Sequence, residues 1–359
     1  QSRYFMASAH TELALNALLR DYRDRLAHEP DLRAAQSLLS AANAGRTPLR
    51  HRFIARRRDV RDVASAIDHR LAGQEGASSA IGEAPAGEPR VAFLFSGNGA
   101  QWAGMGIDAV RENAAFRRHF NAVSALFEEH LGEKLACVLT ADDLAERLAD
   151  TRVAQPLLFS IQVALAQCLL AAGIRPAAVL GHSIGEVAAA HIAGALSLVD
   201  AVAVVAVRSR CQHVTRGRGT MAAALCGAQA AADFLQRNGL DALTVAADNA
   251  SNSVTISGPK EQIAALRSLG RRQKLAVQLL DIDYPFHHPL VDEAKAEFLK
   301  TLPRIAPRAS EYDFISTVTG EPIDGTALDA AYWWRNVREP VHFAQGVAKA
   351  LEQGCNLLM

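Results

Sequence analysis

The residues best able to do chemistry lie in one short run, Gly181-His182-Ser183-Ile184-Gly185, a G-x-S-x-G sequence. A serine becomes a nucleophile only when its hydroxyl is accessible and a base can take its proton. The flanks supply the first condition. Ala177–Leu180 reads as a buried strand entering the run, and Glu186–Ala193 followed by Leu198–Arg210 reads as helix leaving it. Such a turn forces the serine into a strained, presented position, and its glycines are needed because side chains there would meet the neighbouring strand or helix. The Ile184 N–H would then face a developing oxyanion, favoured by the helix N-terminus. An ordinary strand–helix turn is the alternative reading. A second glycine turn, Phe95-Ser96-Gly97-Asn98-Gly99-Ala100-Gln101, follows the apolar run Val91–Phe95. It fits neither phosphate-cradling pattern, which leaves a tight loop offering a second backbone donor.

Twelve histidines could serve as the base. His10, His28, His51, His69, His119 and His130 read as surface groups. His287 and His288 stand apart in Tyr284-Pro285-Phe286-His287-His288, a proline-containing loop of the kind that carries function. The competing reading is a surface pair. No HExxH and no third ligand at useful spacing accompanies them, so no metal site is expected.

The elements that must position these groups divide the chain. Residues 1–72 read as a small α/β unit, with helical runs at His10–Leu26, Asp31–Ala42 and Val60–Leu71 around a strand at Leu49–Ala55. Residues 73–90, rich in Gly, Ala, Pro and Ser without periodicity, read as a linker. Residues 91–218 and 284–359 read as an α/β-hydrolase-like core with a mainly parallel sheet, including a helix at Pro156–Ala172. Between them, 219–283 reads β-α-β-β-α-β, a ferredoxin-like insert. The expected fold class is therefore α/β, with a hydrolase-like large subdomain, an inserted ferredoxin-like small subdomain and a small N-terminal α/β domain.

Composition excludes several classes. Half of the 359 residues are hydrophobic and 38 Lys+Arg balance 38 Asp+Glu, which speaks against disorder and against wholesale nucleic-acid binding. No apolar run looks long enough for a membrane span, and no signal peptide is visible. Five scattered cysteines without CxxC fit a reducing compartment, so a cytoplasmic protein is expected. The basic run Arg50–Arg58 could meet an acidic partner, or form a solvated strand edge.

Taken in order, GNGAQWAGMG, AQPLLFSIQVAL, GHSIGEVAAAHIAGALS, the YPFH loop and WWRNVREPVHF resemble the acyltransferase domain of type I polyketide synthases. That family is related to malonyl-CoA:acyl-carrier-protein transacylases. Residues 3–71 resemble, more loosely, the linker domain between ketosynthase and acyltransferase. The resemblance implies ping-pong transfer: Ser183 takes the acyl group from an acyl-CoA and passes it to the phosphopantetheine thiol of an acyl carrier protein. It implies no permanently bound cofactor, and partners in that carrier domain and the adjacent ketosynthase. His287 matches the family's catalytic histidine, and Asn336 matches the residue whose main-chain carbonyl orients it. The N–H groups of Asn98 and Ile184 would form the oxyanion hole, with Asn98 standing where the family usually has Gln. Arg208 matches the arginine that clamps the free carboxylate of a malonyl-type group, which suits a planar two-pronged donor. Gln155, Phe286 and His182 join it as substrate-binding positions. Thr151–Gln155, Ile184 and Phe286 resemble the malonyl-selective pattern, although YPFH matches neither YASH nor HAFH in full.

Two rivals stand beside this reading. A hydrolase would use Ser183, His287 and one of Asp248, Asp281 or Asp283. An inactive docking domain would use none of them.

Overall fold

The computed structural model describes residues 4–74, 76, 78–84 and 87–359. These form two compact units, Gln1–Pro89 and Arg90–Met359. The first unit runs β1 (Tyr4–Ala9), α1 (Glu12–His28), α2 (Leu32–Gly45), β2 (His51–Arg56), α3 (Val60–Leu71) and β3 (Ser79–Glu83). Its sheet is antiparallel in the order β1-β2-β3. Leu15, Leu19, Leu39, Val63 and Ile67 of the helices bury against Phe5 and Phe53 of the sheet. Asp59 and Asp62 close a reciprocal capping box at the start of α3.

Two features of this unit differ from the sequence reading. Tyr4–Ala9 forms a strand that the reading leaves unassigned. Ser79–Glu83, inside the expected 73–90 linker, pairs along β2 from Ser79↔Ala55 to Glu83↔His51. It is an edge strand with hardly any buried residue, so no apolar alternation marks it. Glu75, Ala77, Pro85 and Ala86 of that stretch lie outside the described residues. The basic run is mostly β2 itself. Arg50 pairs with Glu83, and buried Arg57 donates to the Gln36 carbonyl (3.0 Å) and Ser40 Oγ (3.2 Å).

The second unit begins with β4 (Val91–Phe95), then α4 (Ile107–Glu112), α5 (Ala114–Leu131), α6 (Leu135–Leu139), α7 (Leu144–Arg147) and α8 (Thr151–Ala171). The elements β5 (Pro176–Gly181), α9 (Gly185–Ile192) and α10 (Leu198–His213) follow. Next come β6 (Thr220–Ala224), α11 (Ala228–Arg237), β7 (Thr244–Ala250), β8 (Ser253–Gly258), α12 (Lys260–Arg272) and β9 (Val277–Leu279). The chain ends with α13 (Lys295–Thr301), β10 (Asp313–Phe314), α14 (Ala330–Arg338), β11 (Val341–His342), α15 (Phe343–Glu352) and β12 (Leu357–Leu358). β4 and β5 lie at the centre of a parallel sheet ordered β10-β5-β4-β12. The β6–β9 segment forms the ferredoxin-like arrangement, β7-β8-β6-β9, and β11 joins it in parallel beside β7. A strand from outside the insert thus ties the second sheet to the core.

α8 and α10 are apolar on nearly every face because both are central. α8 is the one helix among the described residues long and apolar enough to cross a membrane, contrary to the sequence expectation; here it packs against α5, α9 and α10. Phe127 and Phe159 meet edge to face at 6.0 Å across the α5–α8 contact, both fully buried. Phe127→Ala is expected to cost about 3–5 kcal/mol in denaturant unfolding, whereas a loss under about 1 kcal/mol would contradict this packing.

Candidate active site

The G-x-S-x-G run forms a tight elbow between β5 and α9. A Cβ on Gly181 would stand 2.2 Å from the Glu186 nitrogen, and one on Gly185 would stand 2.2 Å from the Phe95 carbonyl oxygen. Only glycine permits either approach. Ser183 sits at φ 55° and His287 at φ 57°, both in the left-handed region. Each such residue costs on the order of 1–3 kcal/mol and persists only where its surroundings over-determine it. The elbow is further braced by Thr317, whose Oγ1 donates to the Gly181 carbonyl at 2.7 Å.

Ser183 Oγ lies 2.8 Å from His287 Nε2. His287 Nδ1 lies 2.8 Å from the Glu339 main-chain carbonyl, which can only accept, so the proton resides on Nδ1 and Nε2 is free to receive one from serine. The expected orienting carbonyl of Asn336 is therefore corrected to that of Glu339, the residue after the last turn of α14. Asn336 lies inside that helix, where its side chain points to the centre of the site. The Asp248, Asp281 and Asp283 carboxylates of the hydrolase reading form no hydrogen bond to His287 among the described residues, and Asp283 is paired with Lys260 at 2.6 Å.

Arg208 projects from the middle of α10 and is 1% exposed. Its Nη2 donates to Ser183 Oγ at 2.6 Å, its Nη1 to Gln155 Oε1 at 2.6 Å and Gln212 Oε1 at 3.0 Å, and its Nε to Asn336 Oδ1 at 3.1 Å. Asn336 Nδ2 in turn reaches Glu186 Oε2 at 2.6 Å and the Ser183 carbonyl at 3.2 Å. Burial pulls the Arg208 pKa down to about 9 while the Glu186 charge raises it, so the guanidinium stays cationic at neutral pH. Burial pushes Glu186 above the ordinary carboxylate range, opposed by its bonds from Tyr332, Thr317 and Asn336. His287 falls from 6.5 to about 3 through burial, the Arg208 charge and the nearby His182, and is neutral across the physiological range.

A cavity of about 60 Å³ opens on Ser183 and His287, lined also by Asn98, His182, Met221 and Phe286. A second, of about 110 Å³, lies against Tyr284, Thr151 and Ala154. Phe286 lines both and stacks on Tyr284 with ring centroids 5.1 Å apart. Backbone N–H groups of Asn98 and Ile184 donate to no backbone acceptor among the described residues. His182 Nε2 is held by Asn249 Oδ1 at 2.9 Å, and burial lowers its pKa.

The residues that the resemblance assigns to the site therefore lie at or beside one centre: Ser183, His287, Arg208, Gln155 and Asn336 through hydrogen bonds, Asn98, His182 and Phe286 through the cavity wall, and Ile184 at the elbow. His288, the other candidate base, instead donates to the Ala242 carbonyl at 2.8 Å. Glu186, Gln212, Asn249, Tyr332 and the Glu339 carbonyl escaped the sequence reading. Glu186 carries a signal in retrospect, being an acid immediately before the apolar run Val187–Ala190 that follows the elbow. Gln212 lies one helical turn beyond Arg208.

A serine presented on a strand–helix elbow, a neutral histidine within bonding reach and an arginine fork at the nucleophile define an α/β protein equipped for acyl transfer through serine. Residues 92–358 match the family described as the acyl transferase domain. The chain is 38% identical over 297 residues to the erythronolide synthase EryA2 of Saccharopolyspora erythraea, covering 83% of this chain and 8% of that protein. It is 37% identical over 311 residues to a mycoketide-CoA synthase of Mycobacterium tuberculosis, covering 87% and 7%. It thus spans less than a tenth of either relative. The acyltransferase domain from module 8 of the salinomycin polyketide synthase superposes with a TM-score of 0.92 at 32% identity, covering 99% of this chain and 84% of that one. A transacylase (MCAT) from Streptococcus pneumoniae gives 0.67 at 26% identity, covering 75% and 88%. The chain belongs to the acyl transferase domain family of polyketide synthases.

Because His287 binds a proton less readily folded than unfolded, its contribution to stability is present above pH 6.5 and is lost as pH falls toward about 3. The stability of His287→Phe is expected to fall less steeply than that of the wild type between pH 6.5 and 4 in denaturant titrations. Parallel slopes would show that His287 is not held neutral.

Proposed function

We propose that the domain transfers a malonyl-type acyl group from coenzyme A to the phosphopantetheine thiol of an acyl carrier protein, by way of a Ser183 ester. The observation that carries this reading is the 2.6 Å contact between Arg208 Nη2 and Ser183 Oγ. A cation that close to the nucleophile suits a short diacid: in a malonyl thioester a single methylene separates the carboxylate from the carbonyl under attack. Nη2 carries two N–H groups, and besides the one on Ser183 Oγ it has one to offer such a carboxylate.

In the first half-reaction His287 Nε2 takes the Ser183 proton as Oγ attacks the thioester carbonyl. The Glu339 carbonyl steadies the imidazolium through Nδ1. The N–H groups of Ile184 and Asn98 receive the oxyanion, and its collapse expels the coenzyme A thiolate, which takes the proton from His287. In the second half the carrier thiol gives its proton to His287 and attacks the ester, and Ser183 recovers a proton when it leaves. A carboxylate on Arg208 offsets the positive field that depresses His287, so bound substrate strengthens the base that its own acylation needs.

Phe286, stacked on Tyr284, lines the Ser183 cavity, and in this reading its ring takes the space that a 2-methyl group would need, which supports malonyl over methylmalonyl. A methyl-sized difference of this kind is worth about 1–3 kcal/mol. The first unit is read as the linker domain that adjoins a ketosynthase, by its sequence resemblance.

Arg208→Ala is expected to lower kcat/KM for malonyl-CoA by at least about 100-fold, while acetyl-CoA, which has no carboxylate, loses far less. Equal losses for the two substrates, measured by release of free coenzyme A thiol, would overturn the carboxylate role.

A further inference from the structure

We infer that Glu186 is a positioning residue for substrate selection: acting through the Asn336 amide, it fixes the orientation of the Arg208 fork at Ser183. The inference rests on the proposed role of Arg208 and adds to it the group that holds the fork in place.

The case begins with donors and acceptors. Glu186 is fully buried, and every polar group that touches it has a proton to give. Thr317 N donates to Oε1 at 2.8 Å, and Asn336 Nδ2 donates to Oε2 at 2.6 Å. Tyr332 Oη lies 2.6 Å from Oε1 and 2.7 Å from Ser316 Oγ; its single proton serves Glu186 when Ser316 donates to it. Both carboxylate oxygens are thus occupied as acceptors, which is the donor set of an ionised acid. This order fixes the Asn336 amide. Nδ2 must face the carboxylate and Oδ1 must therefore face Arg208 Nε, because the flipped amide would set oxygen against carboxylate and N–H against N–H. Gln155 and Gln212, as neutral acceptors on Nη1, satisfy the fork without fixing its charge.

No carboxylate forms an ion pair with Arg208 among the described residues, so Glu186 supplies the balancing charge from one amide away. The separation leaves the Nη2 edge free to serve Ser183 and a substrate carboxylate. An acid set against Nη2 itself would compete for that edge, whereas the position that Asn336 holds lies on Nε. The wall behind the relay, Tyr332 and Asn336 on α14 and Thr317 after β10, is drawn from the C-terminal third of the chain.

Glu186→Gln tests the relay. The new amide presents N–H to Asn336 Nδ2, and the mismatch passes along to Arg208 Nε. The ratio of malonyl-CoA to acetyl-CoA acylation, as kcat/KM, is expected to fall about tenfold, chiefly through KM for malonyl-CoA. The double variant E186Q/N336D restores the donor order and returns the negative charge one link nearer Arg208. It is expected to recover at least about threefold of the ratio over E186Q. If E186Q lowers both substrates equally, or if the double variant recovers nothing, the relay is wrong. If E186Q alone does not fold, as judged by its thermal melt, the double variant against wild type decides: a ratio within about threefold of wild type supports the relay, and a collapsed ratio overturns it. Arg208→Ala in the same series separates the two levels: an unchanged ratio there removes the parent reading, while a collapsed ratio there with an unchanged E186Q removes the relay alone.

Discussion

Burying a guanidinium beside a nucleophile is the constraint around which the second unit is organised. Taking an isolated cation out of water costs several kcal/mol, and the cost is tolerable only when every N–H finds an acceptor and a counter-charge lies near. Arg208 comes close to both conditions: four of its five N–H groups find acceptors, in Gln155 on α8, Gln212 on α10, Asn336 on α14 and the Ser183 hydroxyl, and Glu186 on α9 lies behind Asn336. These are the helices that the central parallel sheet and its elbow bring together. The same cation depresses the basicity of His287, so clamp and base are electrostatically linked.

Strain is concentrated where the nucleophile and base meet. Ser183 and His287 both occupy left-handed backbone, one held by a glycine-flanked elbow and the other by a Pro-containing loop whose Tyr284 hydroxyl accepts from Thr151 N at 3.3 Å. The ferredoxin-like sheet contributes Met221, Ala247 and Thr255 to the lining of the cavity. The short β11 strand, running directly into α15, joins that sheet to the segment that delivers the Glu339 carbonyl.

Much of this is legible in the sequence because it is local. The elbow announces itself by two glycines around a serine between an apolar strand and helix. The β-α-β-β-α-β rhythm is visible by period alone. Arg208 is picked out by the family resemblance and not by its local sequence, where it reads as an arginine at a helix end. What the sequence hides is nonlocal or carried by the backbone. Any residue owns a carbonyl, so choosing Glu339 over Asn336 requires knowing where α14 ends. Glu186 is noticeable as a buried acid only once all its neighbours are in place. The strand at Ser79–Glu83 is hidden for the opposite reason: an edge strand of small, exposed residues carries no pattern, and its pairing with β2 is what makes it a strand.

The most direct test of the account is intact-protein mass spectrometry after brief exposure to a mixture of acetyl-, malonyl-, methylmalonyl- and longer acyl-CoAs, with Ser183→Ala as control. The account predicts a malonyl adduct that is absent from the Ser183→Ala variant. An acetyl or long-chain adduct alone, or malonylation that survives loss of Ser183, would contradict it.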